Sequence, residues 1–152
     1  MVEISAERVT RHTAPEVQAD IDRRIECDVA WFGEHPERID DRLRELDREW
    51  DVERTLETVS SSLTLTGLAM ALLGRRRALV LPIAVQAFFL QHALQGWCPP
   101  LPLLRRLGVR TRAEIDRERF ALKALRGDFR ELGSSGNGDA LSDARRALRA
   151  MD

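Results

Sequence analysis

The sequence predicts an all-α protein in which a two-span transmembrane helical hairpin is flanked by amphipathic helical arms. Charged residues make up 32% of the chain, yet the only formal charges between Thr58 and Leu104 are three adjacent arginines, at 75–77. These arginines form a short loop between two charge-free runs, 58–74 and 78–104. Long apolar runs joined by a short charged loop are typical of a pair of helices that crosses a bilayer.

Composition narrows the class of function. The net charge is −1, and acidic and basic residues alternate along both arms, which argues against a nucleic-acid partner. Two cysteines, Cys27 and Cys98, lie in unlike surroundings, so we expect reduced thiols and no disulfide framework. The first 57 residues contain no apolar core of a signal peptide, and we expect an N-terminus that is not exported.

The first predicted segment, residues 1–54, is a charged amphipathic arm. We expect residues 1–13 to be a loose lead-in, followed by an apolar stripe of helical spacing over 17–32. The Gly-Glu-His-Pro sequence at 33–36 is predicted to end this helix, and a second stripe over 39–50 predicts another. These helices are expected to fold back on each other or to lie along a membrane surface.

Residues 55–104 are predicted to form the transmembrane hairpin. The 16 residues of the first span, 58–73, reach roughly 24 Å against a hydrocarbon core of ~30 Å, so its length is marginal. Its many hydroxyl groups can bond carbonyls of their own helix. The second span, 78–97, has full length, with Pro82 near its first turn and Trp97 at the interface.

Small residues predict how the two spans pack. Gly67 and Ala71 form a small-xxx-small pair on the first span, and Ala84 and Ala87 offer a matching face on the second. We expect Leu68 to point away from this seam.

The chain beyond the hairpin is predicted in three parts. Three prolines within residues 98–102 are expected to exclude helix and to carry the chain out of the bilayer extended. Thr111 and Glu114 form a capping box for an amphipathic helix within 105–132. The remainder, 133–152, is predicted to be a flexible tail with a Gly/Ser linker and at best a short helix.

Charge next to the spans predicts their orientation. Nine arginines flank the outer ends of the two spans, against three in the connecting loop. By the positive-inside rule, both termini are expected in the cytoplasm of a bacterial inner membrane, with the loop on the far side.

The stretch from about Trp50 to Phe129 resembles a small bacterial inner-membrane domain of unknown function, known as the membrane part of YgaP-type rhodaneses. The residues that carry this resemblance are Glu53-Arg54, Gly67-Leu68, Leu94-Gln95-Gly96-Trp97-Cys98-Pro99 and Leu103-Leu104-Arg105-Arg106-Leu107-Gly108. The resemblance implies a two-span hairpin that often self-associates. It also gives Cys98 a reason to be considered in sulfur chemistry, although no rhodanese domain is present.

Cys98 is therefore the candidate reactive thiol. It would accept sulfane sulfur or sense oxidation at the membrane edge. A thiol near lipid has a raised pKa, however, and the nearest cation in sequence is Arg105. The structural interpretation of Cys98 is favoured over the reactive one.

Polar side chains inside the second span form the other candidate site; they are Gln86, Gln91, His92 and Gln95. Intramembrane polar residues suggest a proton site or, for His92, a haem ligand. The competing interpretation, which we favour, is a hydrogen bond from His92 or a glutamine to hydroxyl groups of the first span. No catalytic set, metal-ligand spacing or cofactor motif is found, so we predict no enzyme activity and no cofactor.

The sequence thus predicts a non-enzymatic small inner-membrane protein that acts through helix–helix association as an accessory or scaffolding component. Its partners would be the lipid bilayer and either further copies of the chain or a larger membrane complex. Two alternatives remain open. One is a sulfur-handling or redox protein using Cys98, and the other is a soluble cytosolic helical bundle whose core is the central hairpin.

Overall fold

The computed structural model describes residues 5–130 and the side chains of residues 7–130. The predicted linker and tail at 133–152 lie outside the described residues. Within the described part the chain is all-helical and contains no β-strand, as the sequence predicts. The α-helices in chain order are α1 Ser5–Arg11, α2 Pro15–Glu34, α3 Ile39–Arg48, α4 Val52–Leu72, α5 Val80–Gln95, α6 Leu101–Arg106 and α7 Arg112–Arg126.

The N-terminal residues differ from the predicted loose lead-in, because residues 5–11 form helix α1. Val9 on this helix is fully buried and belongs to a core cluster with Val52 and Leu56 of α4. The prediction was wrong because the few apolar residues of this short stretch do not form a clear stripe at helical spacing. The helix is fixed by packing against residues distant in sequence.

Helices α2 and α3 confirm the two predicted helices of the N-terminal arm. Pro15 opens α2, where its missing N–H needs no partner. Helix α2 ends at Glu34, and a 3₁₀ turn at Pro36–Arg38 leads directly into α3.

Helices α4 and α5 pack against each other and form the helical hairpin, residues 52–95. The Asp51 carboxylate caps α4 by accepting a 2.7 Å hydrogen bond from the Arg54 backbone N–H. With 21 residues, α4 is about 32 Å long, longer than the span predicted from charge alone. A turn at Gly74, whose φ of 90° suits glycine, and the 3₁₀ segment Arg76–Leu79 connect the two helices.

The proline-rich segment after the hairpin forms helix α6, which corrects the prediction of an extended exit. Pro100 occupies the N-cap position and Pro102 lies in the first turn. Backbone N–H groups have no intrahelical partner at these positions, so proline costs nothing there. Helix α7 then begins at Arg112, directly after the predicted capping residue Thr111.

The chain divides into two compact units, each built from two separate stretches of sequence. The hairpin unit comprises residues 5–22 and 50–113, and the charged unit comprises residues 23–49 and 114–130. The core of the hairpin unit consists of Val9, Val52, Leu56, Cys98 and Leu101. The core of the charged unit consists of Ile39, Leu43 and Leu46 of α3 with Ile115 and Leu122 of α7, and with Val29 and Phe32 of α2 packed against them.

Candidate functional site: the helical hairpin and its base

Gly67 lies at a close approach between the two strands of chain that form the hairpin. Gly67 is buried, and a Cβ atom added there would lie 2.5 Å from Cδ of Pro82 and 3.3 Å from the carbonyl oxygen of Ala78. Only glycine fits without displacing the proline ring. The small residue at 67 therefore has the packing role that the sequence predicts for it.

The partner residues on α5 differ from those expected. Ala71 and Ala84 are half-buried, but Ala87 is exposed. Along α5, Pro82 and His92 are buried and Val85 and Phe89 between them are half-buried, at steps of three, four and three; Ala84 and Gln91 are also half-buried. Gly67 meets Pro82, which belongs to this stripe, and not Ala87.

Polar groups along the hairpin bond one another. Gln86 Nε2 donates a 2.8 Å hydrogen bond to Thr64 Oγ1 on α4, which is a bond of the kind expected from a glutamine of the second segment to a hydroxyl of the first. Thr66 Oγ1 donates to the backbone carbonyl of Ser62 at 2.8 Å, as expected for hydroxyls inside an apolar helix. Of the other predicted polar positions, Gln91 is half-buried and Gln95 is exposed.

His92 is enclosed near the base of the hairpin, with 4% of its surface exposed. Neither ring nitrogen has a hydrogen-bond partner among the described residues. The charges of Glu53 and Arg8 act on the ring electrostatically. No group of three or more His, Cys, Asp or Glu side chains that could hold a metal ion occurs in the described part of the chain.

Gly96 is the C-cap of α5 and also lies in close contact with α1. Its backbone is left-handed, with φ 74° and ψ 14°, and a Cβ added there would collide with Cβ of Arg8. Arg8 in turn donates a 3.3 Å hydrogen bond from Nη2 to the carbonyl oxygen of Ala93. The glycine of the Gly-Trp-Cys-Pro sequence is therefore required twice, for the helix end and for the close contact with α1.

Cys98 lies in the core of the hairpin unit and is 2% exposed. Burial raises the pKa of its thiol, and the hydrogen bond with the Leu101 backbone only partly opposes this effect. A buried, protonated thiol is a poor nucleophile, so the geometry favours the structural interpretation of this cysteine. Cys27, in contrast, is exposed.

Arg105 is an anchor that the sequence does not reveal, since it is 1% exposed in a chain rich in solvated arginines. Its Nε donates to Thr13 Oγ1 at 3.0 Å, its Nη1 to the Val109 carbonyl at 2.9 Å and its Nη2 to Gln18 Oε1 at 2.9 Å. The guanidinium thus joins α6 to the start of α2 and to the turn after α6. Such an arginine can be recognised only from the residues around it in three dimensions.

The outer surface of the hairpin is apolar and exposed within the chain. Its large exposed side chains are Val59, Leu63, Leu65, Leu68 and Leu72 on α4, and Val80, Leu81, Ile83, Phe88, Leu90 and Leu94 on α5. One stretch of the described residues, Arg76–Gln95, is long and apolar enough to cross a membrane, and only 11% of it is buried. Helix α4, with its many hydroxyls, does not reach that criterion.

The charged unit carries a network of ion pairs. Glu118 of α7 is fully buried and accepts a 2.8 Å hydrogen bond from Arg42 Nε of α3, whose side chain is 20% exposed. Arg42 also bonds Asp28 at 3.3 Å and Glu45 at 3.1 Å. Further ion pairs join Asp40 to Arg126, Asp41 to Arg44 and Asp47 to Arg119; the three carboxylates are exposed, whereas Arg119 is largely covered.

In comparisons with protein-family models, with curated proteins and with solved structures, nothing matches this chain.

Proposed function

We propose that the helical hairpin is inserted in a membrane and that the protein is a non-enzymatic accessory or scaffolding component acting through its helical parts. The observation that carries this proposal is the exposure of large apolar side chains along α5. Leu90 and Leu94 are 60% and 70% exposed, and Ile83 is 69% exposed. Soluble monomers seldom expose contiguous apolar patches beyond roughly 300–600 Å².

The hydrogen bonding of the hairpin supports insertion. In hydrocarbon every polar group needs a partner inside the protein. Thr66 bonds its own helix, and Gln86 bonds Thr64 across the pair. The polar residues that make α4 look unsuitable for lipid are thus partly satisfied within the hairpin. This is why we include α4, and not only Arg76–Gln95, in the proposed insertion.

The proposed location is the bacterial inner membrane, with both termini in the cytoplasm and the arginines at 75–77 on the far side. The nine flanking arginines favour this orientation over its reverse. The resemblance to the membrane domain of YgaP-type rhodaneses supports the same architecture and suggests self-association. The burial of Cys98 gives no support to a sulfur-handling role.

The membrane proposal is tested by washing membranes with alkaline carbonate. The wild-type protein should stay in the membrane pellet. Leu90→Asp, which adds a carboxylate to the exposed side of α5, should reduce membrane retention, since an Asp at a helix centre costs about 2.5–3.5 kcal/mol on insertion. The matched control is Leu125→Asp on α7, where leucine is 48% exposed in the charged unit. Recovery of wild-type protein in the supernatant would instead indicate a soluble helical bundle.

The scaffolding part of the proposal has a separate test. Purification in a mild detergent should give a dimer, a larger oligomer or a complex with another membrane protein. A homogeneous monomer without partners would contradict this role while leaving membrane insertion intact.

A further inference from the structure

A cavity of about 310 Å³ lies beside α6 in the hairpin unit. Its lining includes Arg11 and His12, at and just after the end of α1, and Arg105 and Arg106 at the end of α6. None of the described residues that line it is acidic, although the chain has 25 acidic residues. A cavity of this size with basic groups from two separate helices matches the chemistry that binds a phosphate group.

The floor of the cavity is built from buried groups. Arg105 is 1% exposed and Thr13 is 8% exposed, and their 3.0 Å hydrogen bond fixes both side chains. The Thr13 hydroxyl also donates to the Val9 carbonyl at 2.9 Å, which ties the floor to α1. The positive charge of Arg105 is therefore held in place before any ligand arrives, which lowers the cost of ordering on binding.

The rim has groups that can reach an anion. Arg106 is exposed and has no hydrogen-bond or ion-pair partner among the residues that the structure describes. His12 Nδ1 is 2.9 Å from the Arg8 carbonyl oxygen, so it donates there and leaves Nε2 for another partner. The guanidinium groups give a phosphate several charge-assisted donors, and the imidazole of His12 adds a polar group on the same rim.

We infer that this cavity binds the phosphate group of an anionic ligand, and that the source of the phosphate is an anionic phospholipid headgroup. The second part rests on the proposed membrane function. Helix α6 begins at Leu101, shortly after α5 ends at Gln95, so the cavity lies next to one end of the hairpin in sequence. Leu103 on α6 and Leu107 at its C-cap are 61% and 70% exposed and four residues apart, which suits contact with acyl chains beside a bound headgroup.

The test uses the full chain in a nonionic detergent. Thermal stabilisation and binding are measured with phosphatidylglycerol, with phosphatidylcholine and with inorganic phosphate. Phosphatidylglycerol should stabilise the wild type and phosphatidylcholine should not. Arg106→Gln should weaken phosphatidylglycerol binding roughly tenfold or more, as expected for loss of a hydrogen bond between charged groups. Arg76→Gln, which removes the same charge from the hairpin loop, should bind like the wild type.

A second variant separates a cavity from a diffuse surface charge. Ala14→Phe fills the cavity without changing any charge and should abolish binding, with an unchanged helical spectrum showing that it still folds. Retained binding in Ala14→Phe, or equal losses in Arg106→Gln and Arg76→Gln, would overturn the inference, as would absence of binding to either anion. Binding of inorganic phosphate alone would establish the phosphate site and reject the lipid as its source. Failure of the membrane proposal is observed independently, as release of the wild type by carbonate.

Discussion

Replacement of Gly67 by leucine is the most direct perturbation of the hairpin. The added Cβ alone would lie 2.5 Å from Cδ of Pro82. Carbon atoms in contact prefer about 3.5–4.0 Å, so α4 and α5 would have to separate locally by roughly 1 Å. The obstructing atom belongs to a proline ring that is bonded to the backbone, and a rotamer change cannot relieve the clash.

The expected magnitude combines two opposing effects. Overpacking a close contact costs typically about 1–3 kcal/mol, and the rest of the leucine side chain places this site towards the upper end. Leucine is a better helix former than glycine by about 0.8–1.0 kcal/mol, which offsets part of the cost. We therefore expect Gly67→Leu to lower the free energy of unfolding by roughly 1–2 kcal/mol.

The assay is thermal or denaturant unfolding in a mild detergent, followed by helical circular dichroism. Ala69→Leu is the matched control, because Ala69 lies on the same helix and is exposed. Leu68→Ile is a second control, since Leu68 is 42% exposed and faces away from the seam as predicted. If Gly67→Leu unfolds like these controls, the close contact with Pro82 does not hold the two helices together.

Two further predictions concern buried groups. In the native protein Cys27 should react with iodoacetamide and Cys98 should not. Because burial raises the pKa of Cys98, the contribution of its thiol to stability is complete below the ordinary thiol pKa of about 8.5 and is lost as pH rises through the raised value. Alkaline unfolding of the wild type and of Cys98→Ala measures this loss. Glu118→Ala should lower the free energy of unfolding by roughly 1–3 kcal/mol, which is less than for a fully buried pair because Arg42 keeps other carboxylate partners. Asp41→Asn, at an exposed pair, should lower it by at most ~1 kcal/mol. Equal denaturant midpoints for these two variants would refute the role assigned to Glu118.

The hairpin and helices α2 and α3 could be predicted because their signals are local. Charge-free runs, a loop of three arginines and apolar stripes at helical spacing are properties of neighbouring residues. The seam was predicted only in part. Gly67 was identified from its size, but its partner Pro82 depends on the rotation of α5 about its axis, which composition does not specify.

The remaining elements depend on contacts between distant parts of the chain. Helix α1 contributes one apolar side chain, Val9, to the core. Its contact with Gly96 joins residues that are far apart in sequence, so no local pattern predicts it. Helix α6 forms although prolines surround it, because they fall where backbone donors are unused. Arg105 and Glu118 resemble the solvated charges around them in sequence and differ only in burial.

The segment from Gly96 to Leu101 contains the most specific part of the resemblance to the YgaP-type membrane domain, and its packing gives these residues a structural role. Gly96 is needed for a left-handed helix end and for contact with α1, Cys98 fills the core, and Pro100 caps the helix whose first residue, Leu101, is fully buried. Each of these residue types is thus accounted for by the packing at the base of the hairpin. The resemblance is therefore better taken as a proposal about architecture than about sulfur chemistry, and the function should be sought on exposed surfaces, at the apolar face of the hairpin and the basic cavity beside α6.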